Sequence, residues 1–178
     1  MMVNWMYFPQ NKKIEPHLLQ VIDVFKEKQQ EIDSDNHQGD DNLESNAVLA
    51  VVAEGLETVG FSVEKSKKKA DKIRVPVLFG QNGQVNLAFE VDAYSEANQT
   101  VIEVEGGRAV VNYQFLKDFY ESCMMQGVKY FCVAVKNQYC PSKNIKSKDF
   151  EKVCSFFQAL YISNRMQIPL DGVLIIGY

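Results

Sequence analysis

Apolar residues in the first sixty positions recur with a helical period. Leu18, Leu19, Ile22 and Phe25 follow Pro16 at three- and four-residue spacing, which predicts an amphipathic helix over residues 15–31 with the proline in its first turn. Residues 33–42 are polar and acidic and predict a loop. Asp41 followed by Glu44 has the form of a capping box, and Leu49, Val52, Leu56 and Val59 form one stripe. A second helix is therefore expected to run to Val59 and to stop at Gly60. The period then shortens. Residues 61–64 and 73–79 predict short strands around a lysine-rich turn, and residues 85–94 and 100–105 predict two more. Helical spacing returns over 112–125, where Phe115, Phe119 and Met124 are apolar and Gly127 closes the run. Residues 130–135 are continuously apolar, as in a strand covered on both faces. A helix at 149–163 and a buried strand at 172–177 complete the pattern.

A strand meander that feeds a strand–helix–strand crossover predicts an α/β fold, a mixed β-sheet flanked by helices. Residues 1–36 are expected to form an N-terminal helical arm, and residues 37–178 the domain proper. With 178 residues the chain is long enough for one self-sufficient core. Its 46% hydrophobic and 24% charged residues exclude collagen-like and disordered classes. No apolar run approaches the ~18–20 residues of a membrane span, and residues 1–10 lack the parts of a signal peptide, so a cytoplasmic location is expected.

Cys123, Cys132, Cys140 and Cys154 show no CxxC spacing and are expected to be reduced structural thiols. His17 and His37 both lie in the polar N-terminal region, which leaves little basis for histidine-based chemistry. The net charge of −4 conceals an asymmetry. Residues 23–57 carry ten acids against two lysines, whereas residues 65–74 carry six basic residues against one Asp. The basic stretch suits an anionic partner.

The informative acids are Glu90, Asp92, Glu103 and Glu105. Alternation puts Glu103 and Glu105 on one face of a strand, and Glu90 and Asp92 on one face of the strand before it. A register that joins the apolar faces joins the acidic ones, which sets Asp92 beside Glu103 and Glu90 beside Glu105. Like charges across a strand pair are destabilising, and a divalent cation removes the conflict. Hard oxygen ligands without histidine point to Mg²⁺ or Mn²⁺. On charge pattern alone, a solvated acidic hairpin edge is the competing explanation.

Asp92, Glu103 eleven residues on, and Glu105, carried on two strands after a leading helix and before a crossover helix, resemble the PD-(D/E)xK nuclease superfamily. That superfamily includes type II restriction enzymes, junction resolvases and repair nucleases, and the resemblance covers roughly residues 43–136. It implies a restriction endonuclease-like core and hydrolysis of DNA phosphodiester bonds by metal-activated water. It also implies Asp92, Glu103 and Glu105 as catalytic residues, with Mg²⁺ (or Mn²⁺) held by Asp92, Glu103 and the Val104 carbonyl. Two positions depart from the pattern. Val91 precedes Asp92 where the family has proline, and Glu105 stands in place of the family lysine, as in some type II restriction enzymes.

The implied partner is DNA, with Lys67, Lys68 and Lys69 on its backbone, Arg108 beside Gly106 and Gly107 as a phosphate clamp, and a homodimer as the assembly. Glu44 and Glu54 are candidates to join the site from the leading helix. The alternative is a non-catalytic DNA- or protein-binding module that retains the nuclease fold. The missing lysine favours it and the intact acidic trio argues against it. No base-reading motif is recognisable.

Overall fold

The computed structural model describes residues 2–66, 68–142 and 145–178. Strand β1 (Asn4–Phe8) is followed by α1 (Pro16–Glu27), the single turn α2 (Gln29–Ile32) and α3 (Ser45–Thr58). The meander comprises β2 (Ser62–Val63), β3 (Ile73–Phe79), β4 (Val85–Val91), β5 (Ala93–Ser95) and β6 (Thr100–Val104). Helix α4 (Gln114–Met124) and β7 (Tyr130–Val135) come next, then the small ribbon of β8 (Tyr139–Ser142) and β9 (Ile145–Ser147). Helix α5 (Asp149–Ser163) and β10 (Gly172–Gly177) end the chain.

The central sheet has the order β1-β10-β7-β6-β5-β2. Strands β6, β7 and β10 are parallel, while β1, β5 and β2 pair antiparallel to their neighbours. The expectation of a mixed sheet flanked by helices holds. Two crossovers, β6–α4–β7 and β7–α5–β10, step the same way across the sheet, so right-handed connections place α4 and α5 on one face. Phe115, Phe119 and Phe157 from these helices pack there on Val101, Phe131 and Val133. The Phe119 and Phe157 rings meet edge to face at 5.1 Å, a geometry that adds about 0.5–1.5 kcal/mol to simple burial. On the opposite face α1 and α3 cover Ile102, Val104, Cys132 and Ala134.

Residues 1–36 are no appended arm. β1 closes the sheet edge against β10, and Leu18, Val21, Ile22 and Phe25 of α1 are fully buried. Alternation in β1 is obscured in the sequence by five consecutive residues without a charge, so its strand period does not stand out. The capping box does not form either. Helix α3 starts at Ser45 with Glu44 at its N-cap, and Asp41 belongs to a 3₁₀ turn. The long strand expected at 85–94 breaks at Asp92 into β4 and β5, since β4 leaves the main sheet to pair with β3 as a separate two-stranded hairpin. All four cysteines are free thiols, three of them buried. Among the described residues no helix is long and apolar enough to cross a membrane.

Candidate active site

The site lies where β5, β6 and α4 meet. Antiparallel pairing sets Ala93 against Ile102, so the next pair outward is Asp92 and Glu103, as the sequence register predicts. Odd positions of β6 face α4 and α5: Val101 joins that core, and Glu103 and Glu105 continue the row towards the carboxyl end of the strand. Asp92 sits at the bend between β4 and β5, and its Oδ2 accepts the Val104 N–H at 2.8 Å. The Glu105 N–H donates to the Ala134 carbonyl, so the backbone groups of Val104 point the other way, towards Asp92.

A fourth carboxylate completes the cluster. Asp118 projects inward from α4 and is 9% exposed. Its charge bears on Glu105, Glu103 and Asp92. Burial is the largest influence on all three strand acids. It pushes Asp92 up to about 6, against a lowering by the Val104 N–H. Glu103 is driven well above the usual carboxylate range by burial and then by Asp92, Asp118 and Glu105. Glu105 is raised by burial and by Asp118. Proton uptake is how crowded carboxylates avoid mutual repulsion in the absence of a cation.

Lysines stand at two edges of the cluster. Lys72 bonds both carboxylate oxygens of Glu64 at 2.8 Å and lies 3.7 Å from Glu90. Lys117, on α4, lies 3.2 Å from Glu121 and 3.5 Å from Asp118. Glu64, largely buried, adds to the negative field at Asp92.

Several expected residues lie elsewhere. Glu90 does not face Glu105; it pairs across the hairpin with Arg74 at 2.9 Å, because β4 has already turned away from β6. Glu54 lines a groove between α1 and α3. Glu44 and Ser45 at the start of α3, with Glu105, Gly106, Arg108 and Asn112, line a cleft of about 470 Å³ beside the acids. Gly106 lets that helix end approach, since a Cβ there would lie 3.1 Å from the Ser45 nitrogen. Arg108 is exposed at the cleft. Lys68 and Lys69 are exposed on a 3₁₀ turn before β3. Lys67 lies outside the described residues.

Asp118 was missed in the sequence. On α4 it follows Lys117 and precedes two aromatics, so it reads as part of a polar stripe. The available signal was its spacing three residues from Phe115 and one from Phe119, which places it near the buried face.

The oxygen-only donor set suits a hard cation. Among the described residues no three carboxylate, imidazole or thiolate groups already converge as ligands of one ion. Asp92, Glu103 and the Val104 carbonyl would supply two carboxylates and a carbonyl oxygen, and one or two carboxylates plus waters is the usual Mg²⁺ complement.

No family model matches the sequence, and no curated protein matches it. Among solved structures the chain is similar to the restriction endonuclease BglII complexed with a DNA 16-mer. The TM-score is 0.58 at 13% identity, over 99% of this chain and 78% of the other. At that identity the likeness establishes a restriction endonuclease-like fold.

Proposed function

We propose that this chain is a Mg²⁺- or Mn²⁺-dependent endodeoxyribonuclease that hydrolyses DNA phosphodiester bonds. The observation that carries the reading is the register that sets Asp92 beside Glu103 at the carboxyl end of β6, with Glu105 and Asp118 within electrostatic reach of both. Four acids crowded there are costly without a function that calls for them. The likeness to a DNA-bound restriction endonuclease gives the fold in which such a cluster would work.

In this proposal Asp92, Glu103 and the Val104 carbonyl hold the cation. Bound there, it supplies Lewis acidity and an activated water for in-line displacement at phosphorus. Glu105, ionised once a cation offsets the crowding by its acidic neighbours, takes up the proton that the attacking water loses. Arg108 grips a neighbouring phosphate at the cleft, and Lys67, Lys68 and Lys69 hold the backbone further along. A homodimer belongs to the proposal, since one such site addresses one strand.

The test is incubation with supercoiled plasmid and with branched DNA in Mg²⁺, Mn²⁺ or EDTA, beside Glu103→Ala. Metal-dependent cutting that the variant lacks supports the reading. A folded protein that neither cuts nor binds Mn²⁺ overturns it in favour of a non-catalytic module on the same fold.

A further inference from the structure

The β3–β4 hairpin is an excursion between two adjoining strands of the main sheet, since β2 pairs directly with β5. Its root is anchored: Val75 and Val91 are buried in the core, and the Gln126 N–H bonds the Pro76 carbonyl at 2.8 Å. Its outer half is not. Leu78 (56% exposed) pairs with Leu87, and beyond a further register shift Phe79 (51%) pairs with Val85 (51%), so four apolar side chains stand uncovered towards the tip. A two-stranded ribbon standing alone in water is marginal, which implies that something covers it.

The chemistry of the hairpin indicates what. Residues 75–89 contain no charged side chain but hold Gln81, Asn82, Gln84 and Asn86 at or near the tip. All four are exposed, with the Asn86 amide lying against Gly80. At the root Lys72 and Arg74 are paired with Glu64 and Glu90, Lys68 and Lys69 are exposed on the preceding turn, and β4 runs directly into Asp92. A two-stranded ribbon fits the major groove of DNA, where Asn and Gln read adenine edges and apolar groups meet the thymine methyl. Seven residues per strand give a reach of roughly 23 Å from the carboxylates, enough to enter a groove next to the phosphate they address. Four half-exposed side chains are too few for the ~800 Å² per partner of a stable protein interface, which argues against a second copy as the occupant.

We propose that the β3–β4 hairpin enters a groove of duplex DNA and reads base edges through Gln81, Gln84 and Asn86, flanked by Leu78, Val85 and Leu87. The inference rests on the nuclease reading above and adds to it the element that selects sequence. Asn82 and Gly83 form the turn itself, with φ of 57° and 73°, and stay unchanged in the test.

The experiment is selection of bound duplexes from a randomised pool, in Ca²⁺ to hold DNA uncut, for the wild type and for Gln81→Ala/Gln84→Ala/Asn86→Ala. Sedimentation of both proteins runs in parallel. The wild type is expected to enrich a sequence, and the variant to lose that preference by roughly tenfold or more per lost amide while keeping its salt-dependent affinity for unselected DNA. The same enrichment by both proteins overturns the proposal, as does a wild type that binds DNA without preference. A dimer that Leu78→Ser/Val85→Ser disperses, with base preference intact, overturns it in favour of a second copy. A wild type that binds no DNA overturns the nuclease reading itself, and is distinguishable because the plasmid assay fails as well.

Discussion

The Val104 N–H donates to Asp92 Oδ2 across 2.8 Å, and that bond ties the bend between β4 and β5 to the strand that carries Glu103. A carboxylate at a strand break is ordinarily free to swing into solvent. Here one oxygen is held beside the neighbouring acid, and Asp92 remains half-buried next to a like charge. The arrangement is unfavourable in isolation and would become favourable if the two acids shared a cation, which leads to the first expectation.

Mn²⁺ should raise the melting temperature of the wild type, and Asp92→Asn or Glu103→Gln should remove the increase. Ligand at a hundredfold excess over its dissociation constant stabilises by about 2.7 kcal/mol, or roughly 5–10 °C for a domain of this size. Both variants preserve side-chain volume, so a folded variant without the shift isolates the ligand. An undiminished shift in Glu103→Gln would remove Glu103 from the cation site.

Without metal, stability should fall as pH rises from about 4. The folded-state pKa of Asp92, about 6, lies above its ordinary value of 3.8, so the native state binds more protons than the unfolded chain between those values. Glu103 and Glu105, also raised, extend the decline to higher pH. One titrating group contributes at most about 1.4 kcal/mol per pH unit. Urea midpoints in EDTA should fall more steeply across pH 4–6 for the wild type than for Asp92→Asn, which lacks this titration. A difference independent of pH would show that the site is solvated.

Lys68→Gln/Lys69→Gln should weaken DNA binding almost equally for every sequence and flatten its salt dependence. Two lost phosphate contacts reduce the slope of log K against log salt by about 1.8. Neither lysine has an ion-pair partner among the described residues, so stability should stay within about 0.5 kcal/mol of wild type. An unchanged slope would take this turn off the DNA path.

The acidic pair was legible because a period-two pattern permits one register that buries Ile102 and Ala93 together, and that register carries Asp92 to Glu103. The same logic misplaced Glu90, since nothing in the alternation of residues 85–94 marks the strand as changing partners at Asp92. Pairing with β3 is decided by long-range packing of Val75 and Val91. Asp118 was hidden for a related reason. It reaches the acids only through the crossover that lays α4 over β6, a relation of layers that local spacing does not encode. The helices and buried strands at 130–135, 149–163 and 172–177 match because long apolar runs and helical stripes leave few alternatives.

Gly55→Ala tests the support beneath the site. Gly55 lies inside α3, where alanine would ordinarily stabilise a helix by about 0.5–1 kcal/mol. A Cβ at Gly55 would lie 2.6 Å from Val24 Cγ1 on α1, and Val24 is only 6% exposed, so the two helices would have to separate. Overpacking of this kind costs about 1–3 kcal/mol, which outweighs the propensity gain, and the single variant should have a lower urea midpoint. Removing the obstacle should reverse the sign: in a Val24→Ala background the same substitution should be neutral or stabilising. The double-mutant cycle then reports the α1–α3 contact directly, and additivity within about 0.5 kcal/mol would mean that the helices do not meet at this point. Because α3 also presents Ser45 to the cleft beside Glu105, loss of this contact should loosen the cleft wall before it unfolds the sheet.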